Sequence, residues 1–100
     1  MTFQFDEYKR QEIIRTRGVD LLYAALIFEQ AVLTRVDDRR DYGETRLISL
    51  GMVGEDCFVV VHTERLGATR LITAWKGGRD ERDIYQRHLA GADPPDAGAW

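Results

Sequence analysis

Apolar and polar positions alternate over the middle of the chain, and apolar positions recur at helical spacing on either side of it. Between Thr45 and Val53, Ile48, Leu50 and Met52 fall on one face of an extended segment. Cys57-Phe-Val-Val-Val-His-Thr63 is β-branched through its centre and reads as a central strand. Thr69 to Trp75 supplies a third strand. Gly54-Glu55-Asp56 and Leu66-Gly67-Ala68 separate these runs as turns, and connections this short imply antiparallel pairing.

Ahead of the sheet, Val19, Leu22, Tyr23, Leu26 and Ile27 follow the i, i+3, i+4, i+7, i+8 spacing of one helical face. Leu21, Ala24, Ala25 and Phe28 make this segment apolar nearly all round, which predicts a packing helix. An earlier helix over Glu7 to Arg15 starts at the N-cap candidate Asp6 and ends near Gly18. Its apolar periodicity is weak, so it belongs at the surface. Phe3 and Phe5 alternate with polar residues in a short extended opening. Ala31 to Val36 fits a further short strand, and residues 37–44 form a charged loop. A closing helix over Asp80 to Leu89 turns Ile84, Tyr85, His88 and Leu89 inward. The expected fold is α+β: two N-terminal helices, a three- to four-stranded antiparallel sheet and a C-terminal helix, with the helices on one face. Residues 1–90 form a single domain in this reading, and residues 91–100 a flexible tail.

One hundred residues fit one domain, and 44% hydrophobic with 31% charged residues fits a soluble globular chain. The net charge of −3 gives no bulk basic field for nucleic acid, although a local basic patch is compatible with it. Cys57 is the single cysteine, so neither an intrachain disulfide nor a thiolate metal cluster forms. Two histidines, His62 and His88, are too few for a His-based zinc site without carboxylates. No metal or cofactor is expected. The N-terminus lacks a basic region followed by a long apolar run, and no segment has the length of a membrane span. The expected location is the cytoplasm, with no membrane partner.

The densest chemistry lies in Arg70-Leu-Ile-Thr-Ala-Trp-Lys76, before Gly77-Gly78 and a charged helix start. Arg70 and Lys76 are either solvated strand ends or two cations for a phosphate, one a planar fork and one a point charge. His62 and Glu64 share a strand face by the period-two rule. They are either an acid/base dyad or a rim histidine beside an unrelated carboxylate. Arg46 and Glu44 add charge, and Glu44 precedes a strand. Glu81 sits in the first turn of a helix, where a carboxylate suits the helix dipole. Trp75 is either core or an exposed indole for stacking a base or anchoring a partner. The sequence carries no phosphate-binding glycine loop, nucleophile elbow, zinc-binding HExxH or calcium loop.

In order and spacing, several fragments resemble the BrnT family of bacterial type II toxins, small ribonucleases of RelE-like architecture. They are Phe5-Asp6, Lys9, Gly18-Val19, Ala24-Ala25 and Phe28, then Glu44-Thr-Arg46 and the strand ending at Gly51. Val59-Val-Val-His-Thr-Glu-Arg65, Arg70-Leu-Ile-Thr-Ala74, Glu81 and Tyr85 complete the set. The resemblance runs from Phe3 to about Tyr85. This chain departs from the family pattern at Ile13 for asparagine, Thr16-Arg17 for Lys-His, Thr73 for serine and Trp75 for arginine.

The resemblance implies metal-independent RNA cleavage, in which a ribose 2′-OH attacks the adjacent phosphorus. It implies Arg65 and Arg70 on the phosphate with Lys76 in support, His62 or Glu64 in proton transfer, and Thr73 as a hydrogen-bond partner of the substrate. Arg46, Trp75 and Glu81 then belong to substrate binding. It also implies a cognate antitoxin of ribbon-helix-helix type, with DNA bound only through that antitoxin. The alternative is a catalytically degenerate toxin fold kept as a protein-binding module, motivated by Trp75 in place of a cation. An unrelated small-ligand domain is the third class.

Overall fold

The computed structural model describes residues 1–91. Strand β1 (Phe3–Gln4) leads into helix α1 (Glu7–Arg17), a short helix α2 (Leu21–Ala24) and a tighter 3-10 turn (Ala25–Glu29). Strands β2 (Leu33–Val36), β3 (Leu47–Val53), β4 (Asp56–Arg65) and β5 (Ala68–Lys76) follow, and helix α3 (Arg79–Leu89) closes the order. The fold is α+β.

The ends of α1 form where the sequence predicts them. The Asp6 carboxylate accepts from the Lys9 N–H at 3.1 Å, which satisfies one of the free donors of the first turn. Gly18 takes a left-handed φ of 68° and donates its N–H to the Ile14 carbonyl, a conformation that costs glycine little. Ile13 is the one buried residue of α1, in line with a surface helix. The Arg10 guanidinium then grips the Asp20 carboxylate at 2.8 and 2.7 Å. Asp20 also caps α2 through the Leu22 N–H, so one carboxylate fixes the angle between the two helices. Arg10 holds that carboxyl below its ordinary range.

The second helix differs from expectation. Instead of one α-helix through Phe28, α2 tightens into the 3-10 turn. Leu21, Ala24 and Ile27 are fully buried, at a strict spacing of three, which is the period of a 3-10 helix. Leu22, Tyr23 and Leu26, expected on the inner face, are exposed. Close approach to the sheet accompanies this tightening: a Cβ on Gly51 of β3 would stand 2.8 Å from the Ile27 Cβ.

The sheet also differs. It has five strands in the order β1-β5-β4-β3-β2, and β1 pairs parallel with β5. The sheet is therefore mixed, because the chain's opening residues return to the β5 edge, a long-range pairing that local patterning does not encode. The expected antiparallel pairings of β3, β4 and β5 are present, as is a strand at β2.

Helices cover both faces, not one. Seven consecutive β4 residues, Cys57 to Thr63, are buried, and a strand buried on both sides requires cover on both. Phe58 and Val60 pack with Ile13, Leu21, Ala24 and Ile27 on the side of α1 and α2. Val59 and Val61 pack with Ile48, Leu50, Ile84 and Tyr85 on the side of α3. Ile84 and Tyr85 point inward as expected, while Leu89 is exposed. The tail expected over residues 91–100 lies, beyond Gly91, outside the described residues. Among the described residues no helix is long and apolar enough to cross a membrane.

Candidate functional site

Strand β5 carries an irregularity that arranges the site. Val61 of β4 opposes Thr73, and the next residue, His62, opposes Leu71. Ile72 is the extra residue of a bulge. Simple alternation puts Arg70 and Thr73 on opposite faces. The bulge rephases the strand, so Arg70 opposes Thr63, Thr73 opposes Val61 and Trp75 opposes Val59. All three fall on the register of the α3-side face, which Arg65 shares.

Around this edge lies an open groove of about 270 Å3, lined by Asp6, Lys9, Glu44, Arg46, Arg65, Arg70, Leu71 and Ile72. A second depression, of about 190 Å3, continues it past Lys9 to Arg17 and Thr73. Glu44 bridges two of the cations: it accepts from Arg65 at 3.0 Å and from Arg46 at 3.2 Å. Arg65, first, and Arg46 lower its pKa. The side chains of Lys9 and Arg70 have no hydrogen-bond or ion-pair partner among the described residues. They are cations with their donors available, whereas Arg46 and Arg65 are held in place by a shared carboxylate.

The loop between β2 and β3 folds over the same face. Its ends are joined by the Asp37 N–H, which donates to the Arg46 carbonyl at 2.8 Å. The Asp37 side chain is fully buried. It accepts from the Arg39 guanidinium at 2.8 and 2.9 Å, from the Arg39 N–H at 3.2 Å and from the Tyr42 hydroxyl at 3.1 Å. Arg39 is the main cause that holds the Asp37 carboxyl down, to about 2. The Arg46 guanidinium lies 4.1 Å from the Tyr42 ring centroid.

Trp75 is half-buried under two cations. The guanidinium carbons of Arg17 and Arg39 stand 5.7 and 5.6 Å from its ring centroid, within cation–π range. Arg17 also donates to the Thr73 hydroxyl at 3.0 Å and to the Ala74 carbonyl at 3.1 Å.

The remaining candidates lie elsewhere. His62 is buried on the opposite face, with its ring edge-on to Phe28 at 5.0 Å. Its Nε2 shares a 2.7 Å hydrogen bond with the Ser49 hydroxyl, which meets the Thr34 hydroxyl at 2.7 Å. Its Nδ1 is buried without a partner among the described residues. Burial lowers the His62 pKa, partly offset by the Glu64 charge. Glu64 accepts from the Thr69 hydroxyl at 2.9 Å. The two residues share a face as alternation predicts, but each is bonded to another group and no dyad forms. Glu64 lines a pocket at the strand ends together with Glu44 and Arg65.

Lys76 is at the far end of β5 from Arg70 and pairs with Asp56 at 3.4 Å. Glu81 accepts from the Gly78 N–H at 3.1 Å and caps α3, the helix-start role open to it from its position. Burial pushes the Cys57 thiol up to about 11, which removes it as a nucleophile at neutral pH.

The structure thus gathers Arg46, Arg65 and Arg70 at one groove, with Thr73 at its continuation and Trp75 against the Arg17 that lines it. It leaves His62, Lys76 and Glu81 outside. Lys9, Arg17, Arg39 and Glu44 join the site without having been assigned a part in it from sequence. Lys9 and Arg17 sit in a surface helix, and Arg39 in a loop without periodicity. Lys9 and Glu44 lie in the fragments that carry the resemblance and Arg17 at a position that departs from it, but no role followed for them; Arg39 offered only a positive charge, which surface residues carry in any case.

A family model described as a ribonuclease toxin, BrnT, of type II toxin–antitoxin system matches residues 5–81. No curated protein matches the chain. The matched span runs from Phe5, just before α1, to Glu81 in the first turn of α3, and contains every residue of the groove.

Proposed function

Because the chain belongs to the BrnT family of ribonuclease toxins of type II toxin–antitoxin systems, we propose that its groove cleaves RNA without a metal ion. The observation that carries this reading is the convergence of unpaired Arg70 and Lys9 with the Glu44-bridged pair Arg46 and Arg65. A scissile phosphate in the groove meets several cations at once, the electrostatic requirement of a transition state that accumulates negative charge. The same cations disfavour a divalent metal there.

The phosphate competes with Glu44 for Arg46 and Arg65. As the guanidiniums turn to the phosphate, Glu44 loses the partners that depress its pKa and becomes the better base. In this mechanism Glu44 takes the proton of the attacking 2′-OH. The 2′-oxygen bonds to phosphorus, the bond to the 5′-oxygen breaks, and the Lys9 ammonium protonates the leaving oxygen. Arg70 and Arg65 hold the phosphate, and Arg46 supports them. Thr73 contacts the substrate beyond it, and Trp75 flanks that path. His62, Glu64 and Lys76, on the other face, have no direct part in this reading, and Glu81 shapes the start of α3.

Residues 1–90 act as one RelE-like domain in the cytoplasm. A ribbon-helix-helix antitoxin neutralises it and supplies all DNA binding. A degenerate toxin kept for antitoxin binding is the competing reading, favoured by Trp75 within the cationic edge. Purified protein with a labelled RNA separates the two. Arg70→Gln lowers cleavage by about 10²–10³-fold, while Lys76→Gln leaves it unchanged. Intact RNA in the presence of folded wild-type protein sinks the nuclease reading. Cleavage that appears only after Trp75→Arg establishes the degenerate one.

A further inference from the structure

Arg17 and Arg39 come from different elements, the end of α1 and the loop after β2, yet both converge on one indole. Bringing two guanidiniums to one ring opposes like-charge repulsion. The chain offsets it three times. The Trp75 π system attracts both cations. The buried Asp37 carboxylate fixes Arg39 through two side-chain donors, and the Thr73 hydroxyl and Ala74 carbonyl fix Arg17 through one. Both arginines are exposed, and both keep donors without an acceptor among the described residues: Nη1 of Arg39, and Nη2 and Nε of Arg17. A pair used only to seal the loop would spend its donors inward.

We propose that Arg17 and Arg39, positioned by Trp75, form a second phosphate subsite for single-stranded RNA, next to the groove of Arg65 and Arg70. The two depressions meet at Lys9 and the second reaches Arg17, which shares the Trp75 ring with Arg39, so a chain of phosphates can run from one cation group to the other along the β5 edge. A lone phosphate fills only one group. The ligand that uses both is a polynucleotide backbone. Trp75 is a positioning residue here: its ring orients two guanidiniums and does not itself need to contact RNA. This inference rests on the RNA-binding reading above, not on catalytic competence.

The test is binding of a short 2′-O-methylated, uncleavable oligoribonucleotide by the full chain, followed by anisotropy across a salt series. Each phosphate neutralised on a single strand contributes about 0.7 to the slope of log K against log salt. Arg17→Gln and Arg39→Gln are each expected to lower the slope by about 0.7, and the exposed control Arg79→Gln to leave it unchanged. Trp75→Phe is expected to keep the slope, and Trp75→Leu to lose as much as Arg17→Gln and Arg39→Gln made together. Slopes no different from the Arg79→Gln control overturn the subsite, as does equal loss from the Phe and Leu variants. Weakened antitoxin binding with an untouched RNA slope also overturns it, and assigns the pair to a protein interface.

Cleavage of unmodified RNA is followed separately. Absent cleavage with slopes that depend on Arg17 and Arg39 refutes the nuclease reading and supports the subsite. Normal cleavage with slopes that do not depend on them does the reverse.

Discussion

Replacing Asp37 by asparagine tests how the cationic loop is held. The substitution keeps shape and volume but removes the charge that Arg39 and Tyr42 address. Asp37 titrates near 2 instead of its ordinary 3.8, and a tenfold change in acidity corresponds to about 1.4 kcal/mol. The full linkage is therefore about 2.5 kcal/mol. Half of the Arg39 side chain is in solvent, and screening there reduces the expected value to about 1–2 kcal/mol.

The sign follows from a depressed acid. The stabilisation is fully present above pH 3.8, is lost as pH falls, and is gone below about 2. Asp37→Asn is thus expected to lower stability by about 1–2 kcal/mol at pH 7, and each kcal/mol lowers Tm by about 4–8 °C in a domain of this size. Urea melts at pH 7 and near pH 2 provide the assay. The gap between wild type and variant should close at the acid end. Equal stabilities at pH 7 refute the reasoning, and so does a gap that persists unchanged to pH 2. The variant also frees Arg39 from its anchor, so its RNA affinity should fall with its stability.

Other perturbations act on separate parts of the molecule. His62 is kept neutral by burial, so wild-type stability should decline as pH falls below about 6.5 toward its lowered folded pKa. His62→Gln should flatten that slope in thermal melts between pH 7 and 5, and an unchanged slope places the titration elsewhere. Gly51→Ala puts a Cβ 2.8 Å from that of Ile27, and this overpacking should cost about 1–3 kcal/mol in a urea melt. Leu66 occupies a hairpin turn at φ 50° with its side chain fully exposed. Leu66→Asn suits that turn better and should add about 0.5–1 kcal/mol; a lower Tm would show that the leucine side chain makes a stabilising contact. Glu44→Gln should lower cleavage without weakening binding of the uncleavable RNA, and a loss of binding alone would remove Glu44 as the base.

Features that depend on neighbours along the chain are legible in the residues alone. Asp6 and Gly18 mark the ends of α1, because capping uses only atoms within a turn. The hairpins at Gly54 and Leu66-Gly67 and the central place of β4 follow from turn chemistry and a β-branched run. The order of small motifs also carried the family, since residues 5–81 match it as a set.

Features that depend on distant partners emerge only in the folded chain. The return of Phe3–Gln4 to β5 makes the sheet mixed. Packing of Ile27 against Gly51 accompanies the tightened second helix, in which the exposed and buried positions differ from the expected ones. Most consequential is the bulge at Ile72. Alternation separates Arg70 from Thr73, and one extra residue opposite β4 brings them to the same face. A bulge is a property of two paired strands, so neither strand's own pattern contains it. The loop that carries Arg39 to Trp75 likewise crosses from β2 to β5, held by a buried carboxylate. The sequence named several of the charged groups, and pairing and loop closure chose which of them meet.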